Sequence, residues 1–222
     1  METQGAVADT LVGRYALLPD AIEARSFAII EELLGPRPWG PEERQIAVRV
    51  VHATGDAAVA DQLRIHPEAV AAGRRALTER GELFTDINMV AVGINKPLLS
   101  ALGCRTVCAI DDPEVAAMAR VQGTTRAIAA MRVLGPRMEG ALVAIGNAPT
   151  ALLALLDAVD EGRVRPGIIV GTPVGFVAAP ESKAELMRRQ VPYVTVEGTR
   201  GGSAVAAAVV NALMRLAQGS LA

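Results

Sequence analysis

The stretch Gly140–Gly162, GALVAIGNAPTALLALLDAVDEG, decides the fold class. Ala141 to Ile145 form an unbroken apolar run, the pattern of a strand covered on both faces rather than one that alternates toward water. Gly146-Asn147-Ala148 makes the turn, and Pro149-Thr150 opens a helix that runs to Gly162.

The same alternation extends in both directions. Downstream, PGIIVGTPVGF reads as a strand, APESKAELMRRQ as a helix, PYVTVEG as a strand and GGSAVAAAVVNALMRLA as a final helix. Upstream, RTVCAID and INMVAVGI read as strands. DPEVAAMARVQGTTRAIAAMRVLG reads as one long helix, and NKPLLSALG as a short one. Further back, HPEAVAAGRRALTERG is helical. QIAVRVVH looks like a strand, with Ile46, Val48 and Val50 at period two. ARSFAIIEELLG reads as a helix whose Phe27, Ile30, Leu33 and Leu34 share a face, stopped by Gly35-Pro36. Residues 1–20 read as a weakly patterned arm and 21–222 as a single domain. Six apolar strands, each followed by a helix, predict an open α/β fold: three layers, α/β/α, around a doubly wound, mainly parallel sheet.

Composition narrows the function classes. The 222 residues are 51% hydrophobic and 3% aromatic, with a net charge of −2. Neither a basic stripe nor a stacking platform for nucleic acid appears. No apolar run reaches membrane-spanning length, and the N-terminus lacks the pattern of a signal peptide, so a cytoplasmic protein is expected. Cys104 and Cys108 have no neighbouring ligands and read as small buried hydrophobes, so no metal site is expected.

In a wound sheet the chemistry gathers beyond the carboxyl ends of the strands. The segments expected there are His52-Ala-Thr-Gly-Asp56, Gly93-Ile-Asn95, Asp111-Asp112, Gly146-Asn147-Ala-Pro-Thr150, Gly171-Thr-Pro-Val-Gly175-Phe176 and Glu197-Gly-Thr-Arg200-Gly-Gly-Ser203. Small residues, neutral donors and helix N-termini suit a large, oxygen-rich anion. Any one of these segments alone reads equally well as a turn with a helix cap. None is a Walker loop or a G-x-G-x-x-G turn, which speaks against a nucleotide or another small phosphorylated ligand. Of the two histidines, His66 precedes Pro67 and reads as a surface or capping residue. His52 is the candidate for chemistry, with Thr54 or Asp56 placed to orient its ring. There is no G-x-S-x-G elbow for a hydrolase triad.

Taken in order, RSFAIIEE (25–32), RVVHATGD (49–56), HPEAVAAGRRAL (66–77), TDINMVAVGIN (85–95), TTRAIAAM (124–131), VAIGNAPTALL (143–153), GIIVGTPVGFVAAPESK (167–183) and TRGGSAVAAAVVNAL (199–213) resemble the precorrin-8X methylmutases of cobalamin biosynthesis. The resemblance implies a flavodoxin-like fold, a homodimer with its pocket near the subunit interface, and an isomerase without a cofactor. The implied substrate is a ring-contracted tetrapyrrole bearing many carboxylates, with or without cobalt. One methyl group moves between adjacent carbons of ring C, giving hydrogenobyrinate or its cobalt counterpart, with hand-off to neighbouring pathway enzymes. The family's essential histidine falls on His52.

For the carboxylates, Arg126 is the first candidate because arginine binds them bidentately; Arg49 and Arg200 come next. Ser26, Thr54, Asn88, Asn147, Thr150 and Ser203 are neutral candidates, and Gly175 lines the turn beside them. Lys183 reads as a solvated helix residue or part of a dimer contact. The sequence departs from the family pattern at Ala57-Ala58, at Ala178 and Pro180, and at Thr199. A non-catalytic tetrapyrrole carrier on the same fold is the alternative reading.

Overall fold

The computed structural model describes residues 10–11 and 19–219. The chain divides into two compact units, residues 1–38 and 39–222. The predicted arm lies almost wholly outside the described residues. In the first unit, helix α1 (Pro19–Leu34) ends at Gly35, whose φ of 55° turns the chain out of the helix, and Arg37 Nε donates to the Leu34 carbonyl.

The second unit opens with α2 (Pro41–Thr54), a 3-10 turn (Ala57–Asp61) and β1 (Leu63–Ile65). It continues through α3 (Ala69–Glu79), β2 (Glu82–Thr85), α4 (Asn88–Gly93), α5 (Lys96–Ala101) and β3 (Arg105–Val107). Then come α6 (Pro113–Val121), α7 (Arg126–Leu134), β4 (Leu142–Ile145) and α8 (Pro149–Asp160). β5 (Ile168–Gly171), α9 (Ala179–Met187), β6 (Tyr193–Val196) and α10 (Ser203–Ala217) complete it. The sheet order is β1-β6-β5-β4-β2-β3, parallel throughout except for β1, which runs antiparallel to β6 at the edge.

The opening stretch folds as read. Every residue of β4 and β5 is buried. Phe84, Val143, Ile145 and Ile169 join residues of α6 to α9 in one apolar cluster. Strand alternation sends Leu142, Ala144, Ile168 and Val170 to the other face, where α3 and α10 pack.

Three expectations are corrected, and one strand goes unread. QIAVRVVH is not a strand; it is the body of α2. Pro41 sits in the first turn, Glu43 accepts the Gly40 N–H, and Gly55 closes the helix with φ 63°. Those start and stop signals outweigh the β propensity of the valines, and the buried set Ile46, Ala47, Val50 and Val51 has helical spacing. INMVAVGI is helix α4, with Val90 and Ile94 buried four apart. The strand before it is ELFT, bounded by Gly81 and Asp86. The long helix is two, broken at Gly123 (φ 61°) and restarted by Thr125, whose hydroxyl accepts the Ile128 N–H. Finally, the short β1 carries too few residues to show a period.

Candidate functional site

The loops after β2 to β6 open on one edge because those strands are parallel. His52 does not follow a strand, as had been expected, yet it reaches the same edge. It lies in the last turn of α2, ahead of β1, and β1 runs antiparallel to β6. The register Leu63↔Val196 sets the start of β1 against the end of β6, and Glu197 N–H donates to the Gln62 carbonyl at 2.8 Å.

His52 and Arg49, one turn apart on α2, line an open cleft of about 300 Å³. Its other walls are Ala53, Gly93 of α4, and Ala204, Ala207, Ala208 and Asn211 of α10. Asn211 ties α10 to α4: its Nδ2 donates to the Gly93 carbonyl at 3.0 Å, and its Oδ1 accepts the Asn95 N–H at 2.8 Å. Small alanines build the α10 wall, and the imidazole opposite them is exposed.

Thr54 and Asp56 finish the helix end. Thr54 Oγ1 bonds back to the carbonyls of Val50 (3.0 Å) and Val51 (3.2 Å). Asp56 accepts the Ala58 N–H at 2.9 Å and pairs with Arg200 at 2.9 Å, both side chains nearly half exposed. Arg200 therefore stands on the rim beside the His52 segment. Gly175 N–H donates to the Thr199 carbonyl at 3.1 Å and joins the β5–α9 loop to the same rim.

The remaining candidates other than Ser26 lie around the ends of β2, β3 and β4. Asn88 Nδ2 donates to Asp111 Oδ2 at 2.5 Å. Thr150 Oγ1 lies 3.5 Å from Thr125 Oγ1, next to the exposed Arg126 at the start of α7. Asn147 is exposed and Ser203 half-buried. A Cβ on Gly146 would stand 2.8 Å from Ser203 Cα and 2.7 Å from Val90, so glycine there is what lets α10 and α4 close on the strand end. Ser26 lies on α1, in the first unit.

Asp86 escapes the sequence reading, and Lys183 departs from the solvated position it assigns. Asp86, fully buried after β2, accepts the N–H groups of Gly146 (3.0 Å), Asn147 (2.9 Å) and Ala148 (2.8 Å). Burial pushes its carboxyl above the usual range, while those three donors pull it back. The backbone amides expected to meet a ligand thus meet the protein's own carboxylate. Lys183 is not solvated: it is 0% exposed, and its Nζ donates to the Arg200 carbonyl at 2.7 Å.

His66 caps as expected, its Nδ1 accepting the Glu68 N–H at 3.1 Å. Cys104 is buried and Cys108 half-buried, and burial raises both thiols. Among the described residues no three His, Cys, Asp or Glu side chains are grouped to hold a metal, and no helix is long and apolar enough to cross a membrane.

Comparison with known proteins agrees with this geometry. The precorrin-8X methylmutase family profile matches residues 21–216. The chain belongs to the precorrin-8X methylmutase family. The chain is 45% identical to the precorrin-8X methylmutase of Pseudomonas aeruginosa over 195 residues, covering 87% of this chain and 93% of that protein. It is 42% identical to the cobalt-precorrin-8 methylmutase of Priestia megaterium over 199 residues, covering 90% and 88%. The crystal structure of the precorrin-8X methylmutase from Thermus thermophilus superposes with a TM-score of 0.84 at 39% identity, covering 90% of this chain and 97% of that one. As a precorrin-8X methylmutase the chain is an isomerase of cobalamin biosynthesis, with the α/β fold of that family.

Proposed function

We propose that the chain moves a methyl group between adjacent ring C carbons of precorrin-8X or its cobalt counterpart, giving hydrogenobyrinate or cobyrinate, with His52 as the general acid. The observation that carries this reading is the shared cleft. Its lining holds one imidazole, that of His52, and Arg49 supplies a guanidinium one turn away.

A methyl shift on a conjugated macrocycle needs neither a nucleophile nor a redox partner. It needs a π-system held in one orientation and made electron-poor. An imidazolium donating to the ring C nitrogen does this, and the same imidazole recovers its proton as the shifted product forms. Positioning and fixed dipoles supply the rest. A cleft of about 300 Å³ receives one edge of such a macrocycle. The remainder lies along the strand-end rim, with Arg49, Arg200 and Arg126 taking its carboxylates and a second copy of the chain closing over it.

The test is His52→Ala, assayed by the visible spectrum of precorrin-8X during conversion. The expected result is a kcat lower by about 10²–10⁴-fold with product affinity retained. Conversion at the native rate would remove the acid role. Product binding by the wild type with no turnover at all would make the chain a carrier.

A further inference from the structure

Lys183 is fully buried, and its ammonium donates to a neutral group, the carbonyl of Arg200. Lysine is rarely buried without a carboxylate, because removing an ammonium from water costs several kcal/mol. No ion pair among the described residues includes it, and burial lowers its pKa to about 8.

The carbonyl it holds lies in a segment with little stiffness of its own. Gly198, Gly201 and Gly202 have φ of 73°, 151° and 114°. Besides the Gly175 N–H on the Thr199 carbonyl, two contacts fix that segment from beneath. Gly202 N–H donates to the Thr172 carbonyl at 2.8 Å, and Lys183 Nζ takes the Arg200 carbonyl. A Cβ on Gly201 would come within 2.3 Å of the Thr172 oxygen, so the loop is seated directly on the end of β5. From that seat the Arg200 guanidinium reaches Asp56, just past the end of the helix that carries His52.

We infer that Lys183 is a positioning residue for the reaction: by pinning the Arg200 carbonyl from below, it aims the Arg200 guanidinium at the rim where a carboxylate of the substrate binds. The inference rests on the methylmutase reading of the cleft. Asp56 orients the guanidinium from one side, and its five N–H donors leave capacity for a second carboxylate. Lys183 touches no substrate and acts through the loop.

The test compares Lys183→Met, Arg200→Ala and the double variant, with precorrin-8X as substrate and hydrogenobyrinate as binding probe. Methionine fills similar volume without charge, so K183M should fold with a melting temperature no lower than the wild type. Its KM and product Kd should rise about tenfold, with single-turnover rate at saturation within threefold of the wild type. In the R200A background K183M should add nothing. A KM within twofold of the wild type, or an equal loss in both backgrounds, overturns the inference. Amide exchange in the ligand-free protein reads the pin without any turnover. K183M should speed exchange at Gly201 and Gly202 while leaving β4 and β5 unchanged, and unchanged loop exchange overturns the pin. Should K183M prove too unstable to assay, Lys183→Gln, which keeps a shorter donor, should show a smaller change in the same direction, and a wild-type KM there overturns the inference as well. A wild type that neither converts precorrin-8X nor binds hydrogenobyrinate brings down the methylmutase reading; normal wild-type turnover beside an unaffected K183M brings down this inference alone.

Discussion

Two aspartates on the same edge of the sheet do opposite things. Asp86 is buried in the crevice between β2 and β4, where the strand order reverses, and it takes three backbone N–H groups at the start of α8. Asp56 is on the rim and takes a side chain, Arg200. In open α/β sheets the reversal point is where ligands are expected, and a helix N-terminus there favours an anion. Here the anion is part of the chain. The amides are consumed, and the open cleft is displaced to the α2–α10 side, beside His52. The rule of the fold finds the concentration of donors; which partner fills it decides whether that place is scaffold or site.

The strongest way to break this contrast is to empty the crevice. Asp86→Ala should destabilise the protein by about 3–5 kcal/mol in urea unfolding, because three backbone donors, that of Gly146 fully buried, lose their partner. His52→Ala should change the unfolding free energy by no more than about 0.5 kcal/mol, since the side chain is exposed. If the two variants unfold alike, the division between scaffold and site is wrong.

Lys183 offers the next test, because it belongs to the scaffold by burial and to the rim by contact. Its folded pKa is depressed to about 8 from 10.5. Below pH 8 folded and unfolded chains both carry the proton, and the full burial cost stands. Between pH 8 and 10.5 the folded chain releases it first, so stability rises with pH. The gain of wild type over K183M across that window should approach about 3 kcal/mol. Cys104 and Cys108 titrate in both proteins and cancel in the difference. A flat difference would mean that water reaches the ammonium.

Gly146→Ala sharpens the contrast from the packing side. Its Cβ would press on Ser203 and Val90, which should cost about 2 kcal/mol and raise KM by shifting the start of α10 toward the cleft. The smallest expected change is a gain. Ala178 is the sole non-glycine residue with positive φ among those described, at 62°. Ala178→Gly should raise stability by about 0.5–1 kcal/mol and leave turnover unchanged. A loss there would mean that the αL turn before α9 is held by contacts to the methyl group.

Much of this was legible in the residues. The runs at 141–145 and 168–171 are too continuous for a half-exposed strand, and the motif order from TDIN to VNAL carries the family. The errors have local causes. In α2 the valines suggested a strand, while the deciding signals, Pro41 and Gly55, lay outside the run. In ELFT and LRI the strands are shorter than any period can reveal. Asp86 was missed, and Lys183 read as solvated, for a different reason. Their partners lie 60–62 and 17 residues away in the chain, and no spacing rule connects a carboxylate closing one strand with the turn that closes another. An aspartate directly after an apolar run was the available signal for the first.

The reversed edge strand has one more consequence. β1 is held to the sheet along one side only, by a register of three residue pairs with β6. Border strands of this length open at lower free energy than interior ones. The helix that carries the imidazole stands just ahead of this edge strand and packs along α10, so opening the β1–β6 seam would free its far connection while the parallel strands behind it stay closed. A guest wider than the cleft would find its clearance there, with the floor it must register against left undisturbed.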